Sequence, residues 1–257
     1  MAKLGWQMDG PDDASVLVLG SSLGTTRQMW LPQVGELSQR FRVLRYDHRG
    51  HGASEVVAGA YTIDELGSDV LEMLDTAAPG VDRVHYAGLS LAGMIGIWLA
   101  THAPDRIDRL AVVCTTTYLP PASAWAERAA AVLRGGMETI ADSVVARWFT
   151  PGFAATSPDV VAGARAMLVG TSPVGYAGCC AAIEHMDQRA DVGKIGAPTL
   201  VISAADDLSI PPDHGRALAA AVPGARFELV PGAHIANMES SAAVTDLLTG
   251  HFMDSTA

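Results

Sequence analysis

Between residues 16 and 114, short runs rich in Val, Leu and Ile alternate with stretches whose apolar residues recur every three or four positions. Unbroken apolar runs of about four to eight residues read as strands buried on both faces, and the wider spacing reads as helices that bury one stripe. The pattern predicts strands at 16–20, 42–46, 83–87 and 107–114, and helices at 30–38 and 63–76. The second helix has an explicit start, because Thr62 precedes it and Glu65 follows three residues on, the spacing of a capping box. Its residues Ile63, Leu66, Val70, Leu74 and Ala77 fall on one face. Strands separated by helices imply βαβ units and a mostly parallel sheet.

After Cys114 the pattern changes. Residues 118–191 are Ala-rich and helical in spacing, broken at Gly135-Gly136, Pro151-Gly152, Pro158 and Pro173. Strand patterning returns at 199–203 and 226–230, with helices expected at 212–222 and 240–252. The order implies one sheet interrupted by a helical cap: a core of 1–117 and 192–257 with a cap of 118–191 between them.

Composition narrows the function classes. With 257 residues, 49% hydrophobic and 18% charged, the chain can bury the core of one α/β domain with an insertion. A net charge of −11, with no Lys/Arg cluster, argues against a nucleic-acid partner. The first ten residues lack the apolar run of a signal peptide, and no apolar stretch has the roughly 18 to 20 residues that span a bilayer. The expectation is a cytoplasmic protein with no membrane partner. Cys114, Cys179 and Cys180 have no metal-ligand spacing and read as small buried hydrophobes.

The candidate chemistry starts at Gly88-Leu89-Ser90-Leu91-Ala92-Gly93, which follows the apolar run 84–87 and opens a helix-like stretch, 91–100. Taken alone, Ser90 could be a helix N-cap. The strand, sharp turn and helix around it resemble the nucleophile elbow of the α/β-hydrolases, where small residues flank the serine two positions away on each side. Gly88 and Ala92 occupy those positions, and Ala92 departs from the strict Gly-x-Ser-x-Gly pattern. The expected fold is therefore that of the α/β-hydrolases, a mostly parallel central sheet flanked by helices with an inserted helical cap.

A serine hydroxyl needs a base, and in this fold the order along the chain is Ser, then Asp or Glu, then His. The loop after strand 199–203 carries Asp206 and Asp207; Asp207 is preferred because its distance to Pro211-Pro212 resembles that of the family's usual acid. The loop after strand 226–230 carries His234 as general base. Two backbone N–H groups should hold the developing oxyanion, one from Leu91 and the other from the loop 21–25, assigned to Leu23. Neither a phosphate-binding glycine loop nor a zinc motif is present, so no metal and no cofactor is expected.

Longer segments resemble the 3-oxoadipate enol-lactonases of bacterial aromatic catabolism. They include Ser22-Leu23-Gly24-Thr25 with Met29-Trp30, the run 43–54, Tyr61-Thr62-Ile63 and the elbow itself. Within the cap they are Trp125-Ala126-Glu127-Arg128, the run 146–151 and the run 175–183, which esterases at large do not share. The resemblance implies that Ser90 attacks a lactone carbonyl, that the ring opens by expelling an enolate, and that water activated by His234 releases 3-oxoadipate. Such a small lactone carries a carboxylate, for which Arg128 is the first candidate partner. Trp125 and Trp148 are candidates for the pocket wall. Arg128 could equally be a solvated residue on a cap helix, and both tryptophans could be packing core. The same triad would also serve a carboxylesterase, a cofactor-free perhydrolase or, in another class, a ligand-binding scaffold that has lost activity. A homo-oligomer is left open.

Overall fold

The computed structural model describes residues 1–254; residues 255–257, the end of the second core segment, lie outside the described residues. The strands are β1 (Trp6–Asp9), β2 (Val16–Gly20), β3 (Arg42–Tyr46), β4 (Val84–Leu89), β5 (Ile107–Val113), β6 (Thr199–Ala204) and β7 (Arg226–Val230). The helices are α1 (Leu31–Leu37), α2 (Ile63–Ala77), α3 (Leu91–His102), α4 (Ala122–Gly135), α5 (Glu138–Val145), α6 (Pro151–Thr156), α7 (Pro158–Val169), α8 (Pro173–His185), α9 (Pro212–Ala221), α10 (Ala236–Glu239) and α11 (Ser241–Met253).

The seven strands among the described residues form one sheet in the order β1-β3-β2-β4-β5-β6-β7. Every neighbouring pair is parallel except β1 with β3. Strands β2, β4 and β6 are buried along their whole length, as unbroken apolar runs require when both faces of the sheet are covered. Helix α2 begins with the expected capping box: Glu65 N–H donates to Thr62 Oγ1 at 3.1 Å and Thr62 N–H donates to Glu65 Oε2 at 2.9 Å. Helix α3 is buried nearly all round, so its sequence shows no amphipathic stripe.

Three sequence expectations change. The sequence pattern misses β1, because an edge strand of four partly exposed residues lacks both an apolar run and an alternation. β4 runs on to Leu89 because Gly88 and Leu89 still pair with Val112 and Val113 of β5. The helix expected at 30–38 is divided into a 3-10 turn at Arg27–Trp30 and α1, with Pro32 in the first turn of the latter.

Helices α4 to α8 fill the stretch between β5 and β6, and the chain enters and leaves it at one place. Tyr118 bridges Asp187 there, and Gln188 N–H donates to Thr117 O at 2.9 Å. Near its start, α8 rests on the loop after β3 so closely that a Cβ on Gly50 would lie 2.3 Å from the Gly175 Cα. Gly50 also has φ +75, a conformation glycine adopts without strain. The carboxyl ends of β2, β4, β6 and β7 meet below this helical layer, where ligands bind in open parallel sheets.

Candidate active site

Ser90 stands between β4 and α3 with φ 57 and ψ −114, a strained conformation for a residue with a side chain. Its neighbours hold it there. Ser90 N–H donates to Val113 O at 2.9 Å, while Ser90 O accepts from Met94 N at 3.1 Å and from Thr115 Oγ1 at 2.8 Å. The turn is tight enough that a Cβ on Gly88 would lie 2.3 Å from Ala92 O. The extra methyl of Ala92 has its own accommodation, since it packs against Gly20, where a Cβ would come within 2.6 Å of the Ala92 Cβ. The departure from the strict elbow pattern is thus matched by a glycine at the end of β2.

His234, in the loop after β7, has its Nε2 3.0 Å from Ser90 Oγ and its Nδ1 2.8 Å from Asp207 Oδ2. The carboxylate accepts at Nδ1, which leaves Nε2 as the acceptor for the serine proton. Asp207 Oδ1 accepts from Ser209 N at 2.8 Å and Ile210 N at 2.9 Å, so the buried carboxylate is ordered before it meets the imidazole. Asp206 faces solvent. His85 and His251 lie away from this cluster, in β4 and α11.

The loop after β2 is pinned by several hydrogen bonds. Ser22 N–H donates to Met29 Sδ, Thr25 N–H donates to Ser22 O, and Gly24 N–H donates to His51 Nε2 at 3.0 Å. His48 Nε2–H donates to Ser21 O at 2.5 Å. Both imidazoles are fully buried, and burial pushes each down to about 4, so they stay neutral. The Leu23 N–H has no hydrogen-bond partner among the described residues, and Leu23 lines the cavity beside Ser90. Leu91 N–H, the first amide of α3, also has no partner among the described residues and lies next to the serine.

Above this floor lies a cavity of about 210 Å³. Ser90, His234, Ser22 and Leu23 line it from the core, and Trp125, Arg128, Arg147, Trp148 and Tyr176 from the helical layer. Among the described residues, no Asp or Glu lines it. The Arg128 guanidinium stacks 4.6 Å over the Trp125 ring, while Trp148 is almost wholly buried and still contributes to the wall. All three cap residues singled out in the sequence therefore reach the cavity.

Arg147 is a cavity residue that sequence reasoning passed over, although it precedes Trp148 directly. Desolvation, and then the charge of Arg128, hold its guanidinium below the usual arginine range. Neither arginine has a carboxylate partner among the described residues. Two like charges sharing a partly dry cavity, without a protein anion, are suited to receive one from a ligand. Burial raises the Tyr176 hydroxyl, opposed by nearby Arg128, so the phenol stays protonated as a neutral donor. No group of three or more His, Cys, Asp or Glu among the described residues is arranged to hold a metal ion. No single helix among them is long and apolar enough to cross a membrane.

A family profile described as alpha/beta hydrolase fold matches residues 15–241. The 3-oxoadipate enol-lactonase 2 of Acinetobacter baylyi is 36% identical over 234 residues, covering 91% of this chain and 87% of that protein. A putative carbamate hydrolase, RutD, of Caulobacter sp. (strain K31) is 30% identical over 255 residues, covering 94% and 93%. The crystal structure of the enol-lactonase from Burkholderia xenovorans LB400 superposes with a TM-score of 0.96 at 40% identity, covering 98% of this chain and 97% of that one.

Proposed function

The chain belongs to the α/β-hydrolase family, with 3-oxoadipate enol-lactonases among its relatives, and from that premise we propose that it opens 3-oxoadipate enol-lactone to 3-oxoadipate. It is an enzyme that hydrolyses esters or lactones. The observation that carries the finer reading is that Arg128 and Arg147 line the same cavity as Ser90 and His234, with no Asp or Glu among its described lining residues.

Ser90 Oγ attacks the lactone carbonyl while His234 Nε2 takes its proton, and Asp207 stabilises the resulting imidazolium. The carbonyl oxygen becomes an oxyanion held by the N–H groups of Leu23 and Leu91, each worth roughly 3 to 4 kcal/mol of barrier. Collapse of this intermediate breaks the ring C–O bond, and the imidazolium returns its proton to the leaving oxygen. That oxygen departs as an enol, which tautomerises to a ketone and cannot easily close the ring again. Because the leaving group is part of the same molecule, nothing leaves the cavity at this stage. Arg128 and Arg147 keep the free carboxylate in place through both half-reactions, with Trp125 and Trp148 as walls. Water, deprotonated by His234, then attacks the Ser90 ester and frees the acid.

The experiment is to give purified protein 3-oxoadipate enol-lactone, follow the disappearance of the lactone, and run a neutral aryl ester and the Ser90→Ala variant beside it. Rapid opening that is lost with Ser90 is the expected result. Slow lactone opening beside rapid cleavage of the aryl ester would overturn the lactonase reading in favour of a carboxylesterase.

A further inference from the structure

His234 must keep its Nε2 about 3 Å from the serine oxygen, yet it sits in the turn-rich loop 231–235, with no regular backbone ladder to hold it. Asp207 fixes the ring from one side. The main chain is fixed elsewhere, at the amides immediately before and after the histidine. Ala233 N–H donates to Glu239 Oε2 at 3.0 Å, and Ile235 N–H donates to Trp148 O at 3.0 Å.

Glu239, in α10, does not stop at Ala233. Its Oε2 also accepts from Thr150 N at 3.1 Å, and its Oε1 accepts from the Thr150 hydroxyl. Its stem folds over Gly232, where a Cβ would lie 3.0 Å from Cγ and Cδ of the glutamate. The same residues, 148–150, thus hold both amides that flank the base, one directly and one through the carboxylate. The stretch that includes them also carries Arg147 and Trp148 into the cavity.

We propose that Glu239 is a positioning residue that joins the 148–150 segment to the His234 loop, so that seating of the cap aligns the base with Ser90. This rests on Ser90, His234 and Asp207 being the reacting groups. Proton transfer is steep in distance, and a misplacement of about 1 Å costs up to about 100-fold in rate. What the loop needs from residue 239 is two acceptor positions, with no requirement for charge. A glutamine meets that need: its carbonyl takes the two backbone amides, and its NH2 donates to Thr150 Oγ1 after the hydroxyl turns round.

The test measures kcat, KM, thermal melting and the rate of Ser90 sulfonylation by phenylmethylsulfonyl fluoride in Glu239→Ala, Glu239→Gln and Thr150→Val. The aryl ester serves as the substrate, so the outcome does not depend on the lactone. Glu239→Ala is expected to lose about 10- to 100-fold in kcat and to sulfonylate correspondingly slowly, with KM moving less than about threefold. Glu239→Gln should stay within about threefold of the parent in both rates, and Thr150→Val should fall between them. Retention of kcat in a folded Glu239→Ala protein overturns the proposal, as does a Glu239→Gln protein impaired as deeply as the alanine variant. Should Glu239→Ala fail to fold, Thr150→Val decides: a several-fold fall in kcat at constant KM supports the coupling, and an unchanged kcat removes it. Full activity of Ser90→Ala would instead remove the triad reading, whatever Glu239 does.

Discussion

Asp206 and Asp207 are adjacent in sequence and opposite in environment. Asp206 is solvated; Asp207 is buried, accepts two backbone amides and meets His234. Asp207→Asn should therefore lower kcat by about 10,000-fold, because the amide favours the wrong imidazole tautomer. Asp206→Asn should leave kcat within about twofold, a contrast that steady-state rates on either substrate will show. The two cavity arginines permit a similar contrast between substrates. Arg147→Met should raise KM for the carboxylated lactone about 10- to 100-fold, as expected for a charge-assisted contact, while the neutral aryl ester keeps its KM. Equal effects on both substrates would mean that Arg147 shapes the cavity and does not bind the anion.

At the level of elements, the elbow is a contact between β2, β4 and α3 more than a motif in one segment. Ala92 is tolerated because β2 ends in Gly20, and Tyr46 and Tyr86, whose hydroxyls are 2.8 Å apart, close the space behind it. Gly20→Ala should destabilise the protein by about 1 to 3 kcal/mol through overpacking, read from its urea unfolding midpoint. Adding Ala92→Gly should return part of that loss, because one of the two clashing methyl groups is gone. Strictly additive effects would show that the two positions do not share the space. The crossing of α8 over Gly50 is a second such contact, and it seats the helical layer on the core.

For the molecule as a whole, burial of His48 and His51 ties stability to pH. Each is held down to about 4 in the folded chain, whereas an exposed imidazole in the unfolded chain takes up its proton near about 6.5. The unfolded state therefore binds more protons between those values, and stability, complete above about pH 6.5, falls as the pH drops towards 4. Each group contributes a slope of up to about 1.4 kcal/mol per pH unit in that window. Urea midpoints at pH 7.5, 6 and 5 test this, since the decline begins above the range where most carboxylates titrate. A flat midpoint from 7.5 to 5 would rule it out.

Much of this was legible in the chain, and the remainder depended on packing. Periodicity located six of the seven strands and the start of α2, because a strand covered on both faces must be apolar throughout and a helix N-terminus must satisfy its free amides locally. The order Ser90, Asp207, His234 was readable because each follows a strand whose pattern is local. Sequence did not show β1, whose place is set by the exposed edge of β3 and not by its own residues. Nor did it show Arg147 in the cavity, the Gly20 that makes room for Ala92, or the carboxylate of Glu239 between Thr150 and Ala233. Each of these is a relation between residues far apart in the chain, and the direction of a side chain is decided only by what packs against it. The local elements and the order of the proposed reacting groups along the chain were thus determined by the sequence itself, while the alignment of those groups and the charge that shares their cavity were decided by tertiary contact.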